Sequence, residues 1–224
     1  MNFSALVTHY YPQFISGAAL SLQIAGGAGL IGLLLGVLGG FLQTGRQWWP
    51  RLLVTTYVTV VRGIPMLIQI TFMYVVVFPA LKAQFGLDLP DLAIAVIAIG
   101  INSGAYLCEV VRVGIQSVPP GQVEAAQVLG LSRTQIRRYI VLPQALRVIL
   151  PALGNEFITL IKDSCLASMI GVMELFKTSK QIIAQTYAAL PVYVVTALVY
   201  LVLTTTIAGF VHWLERRWRS TRQR

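Results

Sequence analysis

A group of polar side chains lies within an otherwise apolar stretch, residues 146–169. Asn155, Glu156, Thr159, Lys162 and Asp163 are separated by three, four or seven positions, spacings that bring side chains toward one side of an α-helix. Ionisable groups in an apolar helix are costly unless they pair or face water. We therefore expect this side of the helix to line a polar path, with Glu156 near the middle of the stretch.

The residue types in this polar group suit a small solute that carries charge. A central carboxylate such as Glu156 would bind an ammonium group or a basic side chain through charge-assisted hydrogen bonds. A structural role stays open as an alternative. Lys162 and Asp163 could pair with each other or across a subunit interface, and Glu156 could serve the structure alone.

Two further charges, Arg62 and Glu109, lie toward the ends of other apolar stretches. They could form a salt bridge that braces an inner gate. They could equally be separate interfacial charges whose side chains reach toward the polar boundary. Pro65, shortly after Arg62, removes one backbone hydrogen bond and is expected to kink or loosen its helix.

The composition places these residues in a membrane protein. The 224 residues are 56% hydrophobic and 11% charged, with a mean hydropathy of +0.74, whereas soluble domains carry roughly 25% charged residues. Crossing the bilayer takes about 20 apolar helical residues. We predict an all-α protein, with one membrane domain over 1–224 and five spans at 16–43, 52–81, 92–111, 146–169 and 190–214.

The basic residues predict the orientation of these spans. Three lysines, Lys82, Lys177 and Lys180, flank the spans on one side. Twelve arginines flank them on the other: Arg46, Arg51, Arg112, Arg133, Arg137, Arg138, Arg147, Arg216, Arg217, Arg219, Arg222 and Arg224. Basic residues accumulate on the cytoplasmic side, so we expect the N-terminus outside and the C-terminus in the cytoplasm. The basic tail is interpreted as this topology signal, with no nucleic-acid partner.

Several kinds of chemistry are not expected from this sequence. Cys108 and Cys165 have apolar neighbours and no CxxC spacing, and His9 and His212 lack a ligand-spaced partner, so neither a disulfide framework nor a metal site is indicated. The first basic residue is Arg46, so no cleavable signal peptide is expected. None of the four lysines follows a glycine, which excludes the GxxxxGK[ST] phosphate loop.

The polar loop between the third and fourth predicted spans has strong local signals. Good helix formers occupy 122–129, and Gly130 suits the left-handed position that ends a helix. Ser132 and Gln135 match a capping box that opens a second helix, which we expect Pro143 to interrupt. The loop is therefore predicted to be an exposed helix-turn-helix, suited to docking a cytoplasmic protein.

This loop, 119–143, resembles the EAA loop of ABC importer permeases: EAA, three residues, G, nine residues, I, one residue, LP. The matching residues are Glu124, Ala125, Ala126, Gly130, Ile140, Leu142 and Pro143. Other segments are similar to the polar amino-acid branch of that family, which includes histidine, glutamine and arginine permeases: VRGIPMLIQ at 61–69, YLCEVVRVGIQSVPPGQ at 106–122 and GNEFITLIKDSCLAS at 154–168.

The resemblance implies a type I importer membrane domain of the bacterial cytoplasmic membrane. Its EAA loop would insert into a cleft of the ATPase, with Glu124, Ala125, Ala126 and Gly130 at the core of the contact. The implied assembly contains two ATPase subunits, which bind ATP and magnesium, and an external solute-binding protein. Because five helices are too few to enclose an amino acid, a second copy or a related permease is also expected. The chain itself needs no cofactor and would carry a polar amino acid, with a cationic one favoured.

Two other functions make different predictions for the sequence. An ion-coupled transporter or channel predicts spans rich in coupling charges or an inverted repeat, and neither is evident. A membrane-embedded enzyme should show catalytic histidines, acids or nucleophiles clustered near one interface, and the two histidines are far apart.

Overall fold

The computed structural model describes residues 3–220, with side chains from 6 to 217. Its helices are α1 Phe3–Gln43, α2 Trp48–Gly63, α3 Met66–Phe85, α4 Asp91–Gln116, α5 Pro120–Val128, α6 Arg133–Ile170, α7 Leu175–Thr186 and α8 Ala189–Ser220. Within this range five helices (α1, α3, α4, α6 and α8) are long and apolar enough to cross a membrane, which confirms the predicted number of spans. Arg222 and Arg224 of the basic tail lie outside the described residues.

The pair formed by α1 and α4 is the centre of the bundle. Three glycines of α1, each four residues apart, face three residues of α4 with the same spacing: Gly32 faces Ser103, Gly36 faces Leu107 and Gly40 faces Val111. A Cβ added at Gly40 would lie 2.5 Å from Val111 Cβ, and one added at Gly36 would overlap Leu107. The glycines therefore let the two helix backbones approach closely.

Two apolar clusters flank this pair along the length of α1. In the middle of the bundle, Ile24 and Ala28 of α1 pack with Ile99 of α4 and with Leu160 of α6. Nearer the N-terminus, three residues of α1 pack on α7 and α8: Leu6, Tyr10 and Phe14 contact a cluster formed by Leu175, Ile182, Val192 and Val195. Helix α1 is therefore held by different partners in its middle and near its N-terminus.

The predicted second span, 52–81, is wrong in its bounds because it is two helices. Helix α2 ends at Gly63, and Ile64 has extended backbone angles, φ −109° and ψ 134°. A residue that precedes proline is driven out of the helical region by the proline ring, so Pro65 breaks the helix where a kink or local loosening was expected. The segment that can cross the membrane is α3, Met66–Phe85.

The expected interruption at Pro143 is also wrong. The second helix of the predicted helix-turn-helix continues through this proline into the fourth span, so that α6 runs unbroken over Arg133–Ile170. One π-helical turn, Arg137–Val141, comes just before Pro143. Such a turn accommodates the ring and the missing N–H without ending the helix. The same arrangement occurs in α3, where the π-helical turn Met73–Val77 precedes Pro79.

The remaining spans extend past their predicted ends. The third, predicted as 92–111, continues to Gln116, and a hydrogen bond from Arg112 Nη1 to Gln116 Oε1 (2.6 Å) lies in its last turn. Hydropathy detects only the apolar part of a helix. Polar turns such as this one continue the helix beyond that part and are therefore missed. Helix α7, between the fourth and fifth spans, was not predicted.

Candidate functional site

A pocket of about 430 Å³ lies among α2, α3, α4 and α6. One wall is the break between α2 and α3, residues 62–66. The opposing residues come from two helices: Asn102 and Tyr106 from α4, and Glu156, Thr159 and Asp163 from α6. The pocket is therefore formed where one helix is broken and two continuous helices present polar side chains.

The predicted polar stripe of α6 divides into two rows. Glu156, Thr159 and Asp163 line the pocket, whereas Asn155 and Lys162 are exposed on an adjacent row of the helix. A helix turns about 100° per residue, so positions 155 and 162 point well away from 156 and 163. No ion pair joins Lys162 to Asp163 among the described residues, since consecutive helical residues do not face each other.

Glu156 is anchored inside the bundle by a hydrogen bond. Its Oε1 accepts from Ser103 Oγ at 2.7 Å. Ser103 faces Gly32 of α1, so the packing of α1 on α4 also fixes the donor. None of the described lysines or arginines forms an ion pair with Glu156. Glu156 thus lines the pocket with Ser103 as its hydrogen-bond donor.

Of the two alternatives for Arg62 and Glu109, the salt bridge is wrong. Glu109 pairs instead with Arg112, three residues further along α4. Arg112 is on the same face of the same helix as Glu109, so the pair forms with little loss of conformational entropy. The guanidinium of Arg62 lies over the ring of Tyr106, 5.0 Å from its centroid, and Arg62 lines the pocket.

A second concave surface lies where α5 packs on the start of α6. This groove has a volume of about 360 Å³ and is lined by Gln122, Ala125, Ala126, Leu129, Leu131, Tyr139, Ile140 and Gln144. The capping box predicted for Ser132 is present, with Gln135 Oε1 accepting from the Ser132 N–H at 2.8 Å. Gly130 has a left-handed φ of +78°, so the predicted turn is confirmed.

The residues of the EAA motif differ in their exposure. Glu124, Ala125 and Gly130 are exposed, Leu142 is 44% exposed, and Pro143 is partly buried. Ala126 is only 3% exposed because it packs inside the chain.

Two apolar neighbours that the motif does not specify, Val128 and Leu129, are 88% and 79% exposed. Apolar side chains in a polar loop were the signal that could have identified them.

Sequence reasoning also missed Glu174, which is fully buried at the start of α7. Its carboxylate accepts four hydrogen bonds: from Phe176 N (2.8 Å), Lys177 N (2.7 Å), Ser21 Oγ (3.3 Å) and Tyr200 Oη (3.0 Å). Burial raises the pKa of Glu174, and these donors oppose that shift because they favour the charged form. One side chain thus ties α1, α7 and α8 together.

We expect Glu174→Ala to destabilise the protein by about 3 kcal/mol or more, because it removes a helix cap and leaves buried donors unpaired. Glu174→Gln keeps one acceptor oxygen and should therefore lose less stability than Glu174→Ala. Thermal denaturation of the purified protein in detergent measures both. Gln181→Ala, at an exposed position of the same helix, is the control. Equal stability of the alanine and glutamine variants would contradict this account.

The apolar spans, the pocket and the exposed loop helix together define the membrane subunit of a transport system. The chain belongs to the family described as binding-protein-dependent transport system inner membrane component, whose model matches residues 30–220. It is accordingly a multi-pass inner membrane protein. The sequence-based identification of an ABC importer permease is confirmed.

Similar proteins include permeases with named solutes. The glutamine transport system permease protein GlnP of Escherichia coli K12 is 39% identical over 92% of this chain and 93% of that protein. The octopine transport system permease protein OccM of Rhizobium radiobacter is 33% identical over 94% and 88%, respectively.

Solved structures share the fold. A crystal structure of an amino acid ABC transporter with histidines has a TM-score of 0.87, with 38% identity over 97% of this chain and 99% of that chain. An inward-facing structure of the MetNI methionine ABC transporter has a TM-score of 0.76 at 21% identity, over 92% and 95%. At that identity the second similarity concerns the fold alone.

Proposed function

We propose that this chain is one of two permease subunits in an ATP-driven importer that moves a polar amino acid across the bacterial cytoplasmic membrane by alternating access. The observation that carries this proposal is the pocket. Its volume of about 430 Å³ lies within the range of roughly 300–1,000 Å³ typical of small-molecule sites.

The charges of the pocket suit an amino acid. Glu156 and Asp163 on α6 would receive the α-ammonium or a basic side chain, and Arg62 at the break would receive the α-carboxylate. Two carboxylates against one guanidinium favour a solute of net positive charge over an anionic one. The glutamine and octopine relatives and the solved amino acid transporter support this substrate class.

The groove at α5 would be the contact with a separate ATPase chain, present in two copies, which binds ATP and magnesium. Exposed Ala125, Val128 and Leu129 offer an apolar contact surface. Glu124 and the basic start of α6 would supply charged contacts at its rim. Closure of the ATPase dimer on ATP would draw the two loops together and open the pocket outward, and hydrolysis would return it inward.

The remaining partners follow from the same assembly. The arginine-rich ends of the spans support a cytoplasmic position for the groove and the C-terminus, with the N-terminus and α7 outside. A second permease, identical or related, would complete the path. A solute-binding protein outside the membrane would deliver the amino acid, and membrane lipid would cover the remaining apolar surface.

Uptake by reconstituted vesicles tests this function. With the ATPase and the binding protein present, we expect accumulation of radiolabelled L-glutamine or L-arginine that requires hydrolysable ATP. Glu156→Gln should lower arginine uptake more than glutamine uptake, because it removes a charge that binds cations. Asn155→Ala, next to Glu156 but outside the pocket lining, is the control. Uptake driven by an ion gradient without ATP would instead favour a secondary transporter.

A further inference from the structure

One side chain, that of Gln69, donates hydrogen bonds to backbone carbonyls at the helix break in the pocket wall. A helix end leaves backbone carbonyls without helical partners, and the break at Pro65 creates such an end inside the bundle. The Nε2 of Gln69, in the first turn of α3, donates to Val61 O at 2.6 Å and to Ile64 O at 2.7 Å. Gln69 thus joins the end of α2 to the start of α3.

The same amide also contacts the opposite side of the pocket. Gln69 Oε1 accepts from Asn102 Nδ2 at 3.2 Å, and Asn102 lines the pocket. The orientation of the Gln69 amide follows from its partners, because Val61 O and Ile64 O can only accept and must face the NH₂ group. Its oxygen then faces Asn102, so the Gln69 amide has partners on both its nitrogen and its oxygen.

A second contact holds the other flank of the break. Arg62, at the end of α2, lies over Tyr106, which is four residues after Asn102 and therefore one turn further along the same face of α4. The two flanks of the break are held against adjacent turns of one helix. Asn102 and Tyr106 both line the pocket, so the contacts that fix the break lie where a solute would bind.

We propose that Gln69 is a positioning residue: it holds residues 62–66 in the shape that forms the pocket wall, and its bond to Asn102 links that shape to occupancy of the pocket. The nature of the solute rests on the proposed function. A solute that engages Asn102 changes the hydrogen bond that Asn102 donates to Gln69, and this change reaches the break directly.

Solute binding to the complex of permease and ATPase, purified without the binding protein, tests this role. The probes are radiolabelled L-glutamine and L-arginine in equilibrium dialysis. We expect Gln69→Leu to weaken binding at least about tenfold, because the pocket wall loses three hydrogen bonds. Thr71→Val is the matched control, since Thr71 lies on the same helix and its hydroxyl, among the described residues, bonds only to Leu67 O, at 2.8 Å. It should bind like the wild type.

The proposed link between Gln69 and Asn102 is tested by a double-variant cycle. Because part of the effect of each residue passes through their shared bond, Gln69→Leu combined with Asn102→Leu should lose clearly less binding free energy than the sum of the two single losses. Additive losses would show separate roles and overturn the proposal. Binding by Gln69→Leu equal to that of the control would overturn it as well.

A measurement on the break itself separates positioning from general loss of structure. In a Cys165→Ala background, Gly63→Cys places a thiol at an exposed position where a Cβ meets nothing within 4 Å. Gln69→Leu should speed its reaction with a methanethiosulfonate reagent, while the melting temperature of the complex stays near that of the Thr71→Val control. An unchanged labelling rate would overturn the positioning role of Gln69. A lower melting temperature of the complex without a selective change in the labelling rate of Gly63→Cys would overturn it as well.

These outcomes distinguish this inference from the proposed function. If the wild-type complex transports neither probe with ATP, the proposed function fails. If it transports one of them but Gln69→Leu matches Thr71→Val in binding and labelling, only the positioning role fails. If it transports one of them but binds neither without the binding protein, the pocket is not a binding site, and the positioning role fails with it.

Discussion

Gly130→Val is expected to reduce ATP-driven uptake by more than about tenfold, because a β-branched residue strongly resists the left-handed conformation that Gly130 adopts at φ +78°. The substitution would turn α5 away from its present position on α6 and distort the groove that we assign to the ATPase. An added Cβ meets nothing within 4 Å, so the effect should come from the backbone angle alone.

The matched variant is Gly130→Asn, because asparagine tolerates left-handed angles far better than valine. It should retain most of the uptake. Both variants should reach the membrane in wild-type amounts, since Gly130 is exposed and has no packing to lose. The readouts are uptake, ATP hydrolysis and co-purification of the ATPase. Full uptake by Gly130→Val would contradict a coupling role for this turn.

Gly36→Leu is expected to prevent accumulation of folded protein. A Cβ at Gly36 would overlap Leu107, and the backbone carbon of Leu107 lies only 3.0 Å from that position. Rotation of a side chain cannot relieve a clash with backbone, so α1 and α4 would have to separate along their whole interface. Overpacking of a well-packed interior costs about 1–3 kcal/mol or more, and this contact lies at the centre of the bundle.

The control for this prediction is on the same helix. Gly26→Ala adds a Cβ where nothing lies within 4 Å, and alanine favours a helix over glycine by about 1 kcal/mol. It should leave the protein unchanged or more stable. Size-exclusion chromatography of a fluorescent fusion in detergent reports the amount and melting temperature of each variant. A monodisperse Gly36→Leu peak with wild-type stability would contradict the close approach of α1 and α4.

Features that depend on local sequence were predictable. The five spans follow from the length of apolar stretches, and the capping box at Ser132 and the left-handed Gly130 follow from residue types that few other positions favour. The four-residue spacing of Gly32, Gly36 and Gly40 is typical of a close helix contact. It did not indicate which helix would supply the partner, because that depends on tertiary packing.

Features that depend on competition between partners were not predictable with the same reasoning. Glu109 had two arginines available, and the local one, Arg112, forms the pair. Pro65 could kink or break a helix, and a complete break is tolerated because Gln69 supplies donors to the freed carbonyls. Glu174 precedes an amphipathic helix in the position of a cap, a signal that was present in the sequence and was missed.

The unbroken course of α6 has a mechanical consequence. Tyr139 and Ile140 of the groove and Glu156 of the pocket belong to one helix, and the 17 residues from Tyr139 to Glu156 span about 25 Å at 1.5 Å per residue. Neither the π-helical turn before Pro143 nor Pro151 inside the helix ends it between these residues. A displacement of the groove end of α6 would therefore pass to Glu156 through one continuous helix, and the π-helical turn and Pro151 are the points at which that helix can bend.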